Sequence, residues 1–147
     1  MDNESVNFSK FNVMVVDDNK DMINAVGTYL ELLAHFSVIT ASSPYIAVEL
    51  INSYKNKELG ATIEILTERA LVKMAQDKID DKIGEDDFDL YSVSEIIIPG
   101  KKTLSQIYGE GITVIVSDAK MGGIDGFQLL SYAAKEIPTT SRLLLSA

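Results

Sequence analysis

Three kinds of side chain are scarce or missing in this chain. It has no cysteine, which excludes a disulfide framework and any thiolate metal site. Its single histidine, His35, argues against a multi-histidine metal centre and against a histidine relay within the chain. Only 13 lysines and arginines stand against 22 aspartates and glutamates, and the formal net charge is −9. Because nucleic-acid binding relies on clustered basic residues, we expect no direct nucleic-acid binding.

Long apolar runs are missing as well. No run reaches the roughly 18 residues that a transmembrane helix needs, and the acidic N-terminus is unlike a signal peptide. We therefore expect no membrane span, and the absence of cysteine fits a reducing, cytoplasmic setting. The 147 residues are 46% hydrophobic and 24% charged, with three prolines, which is ordinary composition for one globular domain with a core.

Two apolar runs in the chain end in aspartate. Val13 to Val16 is followed by Asp17 and Asp18, and Val114 to Ser117 is followed by Asp118 and a glycine-rich turn. Continuous Val and Ile runs are typical of buried parallel strands. Open α/β sheets place their chemistry just beyond the carboxyl ends of such strands. The sequence therefore predicts one acidic cluster at one edge of one sheet.

Hydrophobic periodicity and turn residues predict the remaining elements. Residues 1–10 are predicted to be a flexible N-terminus. The predicted elements are strand 11–16, helix 21–34, strand 36–41, a helix starting at Pro44 with Ser43 as its cap, helix 62–83, a β-hairpin of strands 90–98 and 103–108, strand 112–117, helix 127–134 and strand 142–146. The predicted inward positions of three helices are Ile23, Val26, Leu30 and Leu33; Ile46, Leu50 and Tyr54; and Phe127, Leu130 and Ala134.

Clustered carboxylates indicate a particular chemistry. Carboxylates that share a site repel one another, and their pKa values rise unless a cation compensates. Mg²⁺ accepts a few carboxylates together with waters and phosphate oxygens, which suits phosphoryl transfer, and one aspartate can act as the nucleophile. Ser146 could donate a hydrogen bond to a phosphate oxygen there. Asp18 is equally suited to capping the next helix, whereas Asp125 is predicted to be a helix cap.

With these motifs in their order along the chain, the sequence resembles the receiver domain of two-component response regulators. The matching features are Val15-Val16-Asp17-Asp18, the run from Asp118 to Phe127, and Leu143-Leu144-Leu145-Ser146-Ala147, within residues 11–54 and 112–147. The resemblance implies a flavodoxin-like α/β fold with strand order 2-1-3-4.

The resemblance also implies roles for individual residues. Asp118 would be the phosphoacceptor. Asp17, Asp18, Asp118 and the backbone carbonyl of Lys120 would hold Mg²⁺, and Ser146 would be the switch hydroxyl. Gly126 would serve the tight geometry before the following helix. The phosphoryl donor would be a histidine kinase or phosphotransfer protein.

This chain departs from the receiver pattern in several places. Residues 56–111 form an insertion, with the predicted helix and β-hairpin. The fifth strand and the phosphate-pairing lysine after it have no counterpart, and Gly122 stands where the family usually has proline. We therefore expect 11–147 to be an incomplete receiver domain, a fragment of a longer parent chain with a possible output domain, whose last strand forms an exposed apolar edge.

Three functional hypotheses follow from the sequence. The first is a phosphoacceptor receiver domain of a phosphorelay. The second is a pseudo-receiver, an interaction module that no longer switches, which the missing lysine favours. The third is a Mg²⁺-dependent phosphohydrolase. That class usually presents an Asp-x-Asp motif after its first strand, whereas this chain has adjacent Asp17 and Asp18, so it ranks last.

Overall fold

A computed structural model describes residues 12–33, 36–58, 60–80, 111–121 and 123–145. Their elements are β1 (Asn12–Val16), α1 (Lys20–Leu33), β2 (Ser37–Ala41), α2 (Pro44–Lys55), α3 (Ile63–Ile79), β3 (Val114–Asp118), α4 (Gly126–Glu136) and β4 (Ser141–Leu145). The four strands form one parallel sheet in the order β2-β1-β3-β4. This arrangement is flavodoxin-like, and it confirms the fold class and strand order predicted from the sequence.

The central strand β1 owes its burial to pairing on both sides. Val13 lies between Val38 of β2 and Val114 of β3 in the ladder. Four of its five residues are buried, which explains why its sequence is a continuous apolar run rather than an alternating one. The side chains divide between two cores, because Val13 and Val15 lie in one apolar cluster while Met14 and Val16 lie in the other.

Helix α1 covers one face of the sheet. Ile23 is buried against Val13 and Val15, and Val26 and Leu30 pack against the same cluster. These are three of the four positions that helical spacing predicted to face inward, and the side chain of Leu33 lies outside the described part of the chain.

Helix α2 lies on the opposite face and begins as the sequence predicts. The Ser43 hydroxyl accepts a hydrogen bond from the Tyr45 N–H at 3.2 Å, and Pro44 occupies the first turn. The predicted inward residues Ile46, Leu50 and Tyr54 are all buried, together with Ala47 and Ile51. Helix α2 therefore supplies much of the larger core.

Helix α3 comes from the 56–111 segment and packs along α2. It ends at Ile79, four residues before the predicted end, with Asp80 as its C-cap. Leu66, Ala70 and Met74 are buried in the larger core, whereas the neighbouring apolar positions are exposed. These exposed positions are Ile65, Val72 and Ile79. Part of the segment predicted to be an insertion therefore contributes to the core of the sheet.

Helix α4 presents a different face to the core from the predicted one. Phe127 is 63% exposed, while Leu129 and Ala133 are fully buried. Gly126 also lies on the buried face, packed against the end of β3. Because Gly126, Leu129 and Ala133 share one face of the helix, Phe127 is rotated out of the core. The prediction of Phe127 as an inward residue was wrong, and the predicted Leu130 and Ala134 are only partly buried.

Strand β4 is the outermost strand of the sheet within the described ranges, where it pairs with β3 alone. Leu143 is 57% exposed and Leu145 is 41% exposed, as expected for an apolar edge strand. Among the described helices, none is long and apolar enough to cross a membrane.

Several sequence predictions lie outside the described residues. These are the N-terminal residues 1–10, the predicted end of the helix beyond Asp80, the β-hairpin of 90–98 and 103–108, and the positions His35, Gly122 and Ser146.

Candidate functional site: an acidic cluster at the carboxyl edge of the sheet

The carboxyl ends of β1 and β3 bring three aspartates together. Asp17 follows β1, Asp18 comes next, and Asp118 is the last residue of β3. One carboxylate oxygen from each lies within 4.8 Å of the other two. Asp17 is buried, Asp118 is half-buried and Asp18 is exposed. The acidic cluster predicted from two strand ends is therefore present, and it is open to solvent on the Asp18 side.

Main-chain hydrogen bonds fix Asp17 at the end of β1. Its N–H donates to the Ala41 carbonyl at 3.1 Å, which extends the pairing of β1 with β2 by one residue. Its Oδ1 accepts from the N–H of Asn19 at 2.9 Å, a local turn that aspartate favours. The second carboxylate oxygen is not needed for this turn.

Asn19, rather than Asp18, caps helix α1. The Asn19 Oδ1 accepts from the Met22 N–H at 3.1 Å, and its carbonyl accepts from Ile23 N–H at 3.0 Å. The sequence left open whether Asp18 caps this helix or contributes to the cluster. Since Asn19 fills the capping position, the Asp18 carboxylate lies in the cluster without a capping role.

Mutual repulsion and burial act on Asp17. Its pKa is raised above the ordinary value, first by burial and then by the negative charges of Asp118 and Asp18, while the hydrogen bond from Asn19 opposes the rise. A cation between the carboxylates would relieve both the burial cost and the repulsion. The electrostatics of the cluster therefore favour a positively charged ligand.

The loop after Asp118 is held close to the sheet. The Ala119 N–H donates to the Leu145 carbonyl at 2.9 Å, and the Gly126 N–H donates back to the Ala119 carbonyl at 2.9 Å. The Ser117 hydroxyl donates to the Asp118 carbonyl at 3.0 Å. A Cβ on Gly126 would lie 2.0 Å from that same carbonyl oxygen. Only glycine therefore lets α4 begin this close to Asp118, in keeping with the tight geometry predicted for Gly126.

Asp125 has a structural role at the start of α4. Its carboxylate accepts from the Gln128 N–H at 2.8 Å, and the Gln128 side chain accepts from the Asp125 N–H at 2.9 Å. This is a reciprocal capping box, so the prediction that Asp125 is a helix cap is confirmed.

The remaining predicted site residues are placed less fully. The Lys120 side chain is exposed, and the role assigned to its backbone carbonyl stays a prediction. Ser146 lies outside the described residues, so its role as a switch hydroxyl also stays a prediction. Sequence reasoning missed the Ser117 hydroxyl, because a serine inside an apolar strand reads as part of the strand. Its only signal was its position directly before the strand-end acid.

The ligand atoms of the acidic cluster determine which chemistry it can support. Three carboxylates that converge at one sheet edge offer hard oxygen ligands, so the cluster could hold a metal ion. No known protein family, curated protein or solved structure matches this chain. The fold and this cluster are therefore the features from which a function can be inferred.

Proposed function

We propose that this chain is a phosphoacceptor domain of the receiver type, which takes a phosphoryl group onto Asp118 with Mg²⁺ held beside it. The observation that carries the proposal is the convergence of Asp17, Asp18 and Asp118 within 4.8 Å. The flavodoxin-like strand order supports it, because ligands of such sheets bind beyond the carboxyl ends of the strands.

The chemistry requires an accessible nucleophile with a cation nearby. Asp118 is half-buried, so a carboxylate oxygen can be approached by a phosphoryl donor. That oxygen would form a bond to phosphorus while the P–N bond of a donor phosphohistidine breaks, and the freed imidazole of the donor regains a proton from solvent. Mg²⁺ would neutralise charge on the phosphoryl oxygens. Asp17, Asp18 and the Lys120 carbonyl would hold the cation in place.

The donor in this proposal is a histidine kinase or a phosphotransfer protein in the cytoplasm. The acceptor domain itself needs no histidine, in keeping with its single His35. The phosphorylated form would act on an output domain in a longer parent chain or on a separate partner.

The deciding experiment is phosphorylation by a small donor. The full chain is incubated with acetyl phosphate and Mg²⁺, and intact mass is measured for a single phosphoryl adduct. We expect the adduct in the wild-type protein and in Asp125→Asn, because Asp125 caps α4. We expect none in Asp118→Asn or when Mg²⁺ is chelated.

The other outcomes separate the competing functions. A folded wild-type protein that binds Mg²⁺ but never forms the adduct would overturn the phosphoacceptor function and favour a pseudo-receiver interaction module. Continuous release of phosphate from phosphate esters, lost in Asp118→Asn, would instead favour a phosphohydrolase.

A further inference from the structure

A second site of different chemistry lies on the α2 side of the sheet. A cavity of about 560 Å³ opens between α2, α3, α4 and the loop that precedes α4. This volume is within the range of ordinary small-molecule sites. Its lining includes Tyr45, Val48, Asp77, Ile124, Leu129 and Tyr132. None of the three clustered aspartates is among them, so the cavity is distinct from the acidic cluster.

The charged group of the wall is one oriented carboxylate. Asp77 is only 7% exposed, and its Oδ2 accepts a hydrogen bond from the Tyr45 hydroxyl at 2.7 Å. Lys73 approaches the other oxygen at 3.5 Å from the exposed side of α3. Burial of a carboxylate is costly unless it is paired and hydrogen-bonded, so these contacts stabilise the negative charge of Asp77 in a wall that is otherwise uncharged and also contains Gln128.

The rest of the wall complements a cation with an apolar body. Val48, Ile124 and Leu129 supply aliphatic surface, and Tyr45 and Tyr132 supply aromatic rings. Aromatic faces attract ammonium groups, and the Asp77 carboxylate attracts the same charge. An anion would meet that carboxylate and a protein of net charge −9. Lys73 offsets part of the Asp77 charge, but Lys73 does not line the cavity, so charge complementarity still favours positively charged ligands over neutral or anionic ones.

We propose that this cavity binds a small organic amine, with its ammonium group at Asp77 and its apolar body against Val48, Ile124 and Leu129. Helix α3, which belongs to the 56–111 segment, contributes Asp77 to the cavity wall. The proposed site therefore requires α3. The proposal is independent of phosphorylation at Asp118.

The experiment uses two probes of nearly equal shape. 2-Phenylethylamine and its neutral counterpart 2-phenylethanol are titrated into the full chain in metal-free buffer by isothermal calorimetry. For so small a ligand we expect saturable binding of the amine with a dissociation constant of roughly 1 mM or below. We expect binding of the alcohol to be at least about tenfold weaker. Equal binding of both probes, or no saturable binding of the amine, would overturn the proposal.

Two substitutions test whether the Asp77 carboxylate is the group that binds the ammonium. Asp77→Asn keeps the shape of the side chain and should weaken amine binding at least about tenfold, with little effect on the alcohol. Glu68→Gln is the matched control, because Glu68 is an exposed acid on the same helix and outside the cavity lining. It removes the same charge and should leave amine binding unchanged. Equal losses in the two variants would show that only the net charge matters, and would overturn the site.

A measurement on the unmodified protein guards against a variant that fails to fold. Methyl resonances of Val48, Ile124 and Leu129 should shift with the amine in proportion to saturation. Those of Ile65 and Val72 on the outer face of α3 should stay in place. Shifts confined to other methyl groups would place the amine elsewhere and refute the proposal.

Discussion

Replacing Gly126 by alanine tests how tightly α4 is tied to the acidic cluster. The added Cβ would lie 2.0 Å from the Asp118 carbonyl oxygen and 2.9 Å from its carbonyl carbon. It would also approach the Leu144 Cδ1 at 2.9 Å. The leucine methyl can rotate away, but the carbonyl belongs to the backbone of β3. To remove the clash, the start of α4 and the end of β3 must move apart by about 1 Å, because the added Cβ would otherwise lie 2.0 Å from the Asp118 carbonyl oxygen.

The magnitude follows from two opposed effects. Alanine is favoured over glycine in a helix by up to about 1 kcal/mol, whereas forced overpacking typically costs about 1–3 kcal/mol. Gly126 is the first residue of α4, where the interior-helix preference for alanine contributes little. Because the clash also involves backbone, we expect overpacking to dominate, with a net loss of about 1–3 kcal/mol in the free energy of unfolding. The corresponding fall in melting temperature is roughly 3–10 °C.

The assay is urea unfolding followed by circular dichroism, with Gly60→Ala and Gly111→Ala as controls. Neither control position has an atom within 4 Å of the added Cβ. We expect each to change the free energy of unfolding by no more than about 0.5 kcal/mol, or to raise it slightly. Since the displaced carbonyl belongs to Asp118, Gly126→Ala should also reduce the stabilisation that the proposed Mg²⁺ site would provide, and the controls should not.

Two results would refute this reasoning. If Gly126→Ala were as stable as Gly60→Ala, the close approach of α4 to β3 would not exist in solution. If it were destabilised while Mg²⁺ binding stayed at the wild-type level, the contact would matter for packing but would not position Asp118.

Three further predictions use other parts of the fold. Because the pKa of Asp17 is raised above 3.8, its contribution to stability is full below that value and is lost as pH rises through the folded pKa. In urea titrations without metal, the free energy of unfolding of Asp17→Asn relative to wild type should therefore rise between about pH 4 and about pH 7. A difference that does not change with pH would contradict this. Asp125→Ala should lower the free energy of unfolding by about 1 kcal/mol, because the capping box is lost, while the Mg²⁺ affinity measured by calorimetry should stay unchanged. A large loss of affinity would show that Asp125 is part of the metal site. Leu66→Ala should lower the free energy of unfolding by about 2–5 kcal/mol. Val72 is 71% exposed on the same helix, so Val72→Ala should lower it by less than about 0.5 kcal/mol. Equal effects of the two substitutions would show that α3 does not pack as described.

The features that the sequence predicted correctly depend on local patterns. The apolar runs at Val13 and Val114 identify strands, and parallel strands place Asp17 and Asp118 at one edge whatever the loops between them do. Ser43 and Pro44 mark the start of α2 by their own chemistry. Such signals survive because each needs only neighbouring residues to be interpreted.

The features that the sequence did not predict depend on tertiary contacts. Phe127 is the largest apolar residue of α4, yet the contact between Gly126 and Asp118 sets the rotation of that helix and leaves Phe127 exposed. The cavity combines Tyr45, Asp77 and Tyr132 from three separate helices. No local pattern connects these positions, because they meet only after α3 has packed against α2.

The pairing of β1 with β3 has a consequence for synthesis on the ribosome. Asn12 N–H donates to the Thr113 side chain, 101 positions along the chain, and this contact begins the ladder between the two strands. At about 5–20 residues per second, β3 leaves the ribosome roughly 5–20 seconds after β1. During that interval β1 can pair with β2, and α2 and α3 can pack against the sheet, while the other edge of β1 remains unpaired. The nascent chain therefore carries an open, valine-rich edge in the middle of its future sheet, and unpaired edges of this kind are prone to aggregation.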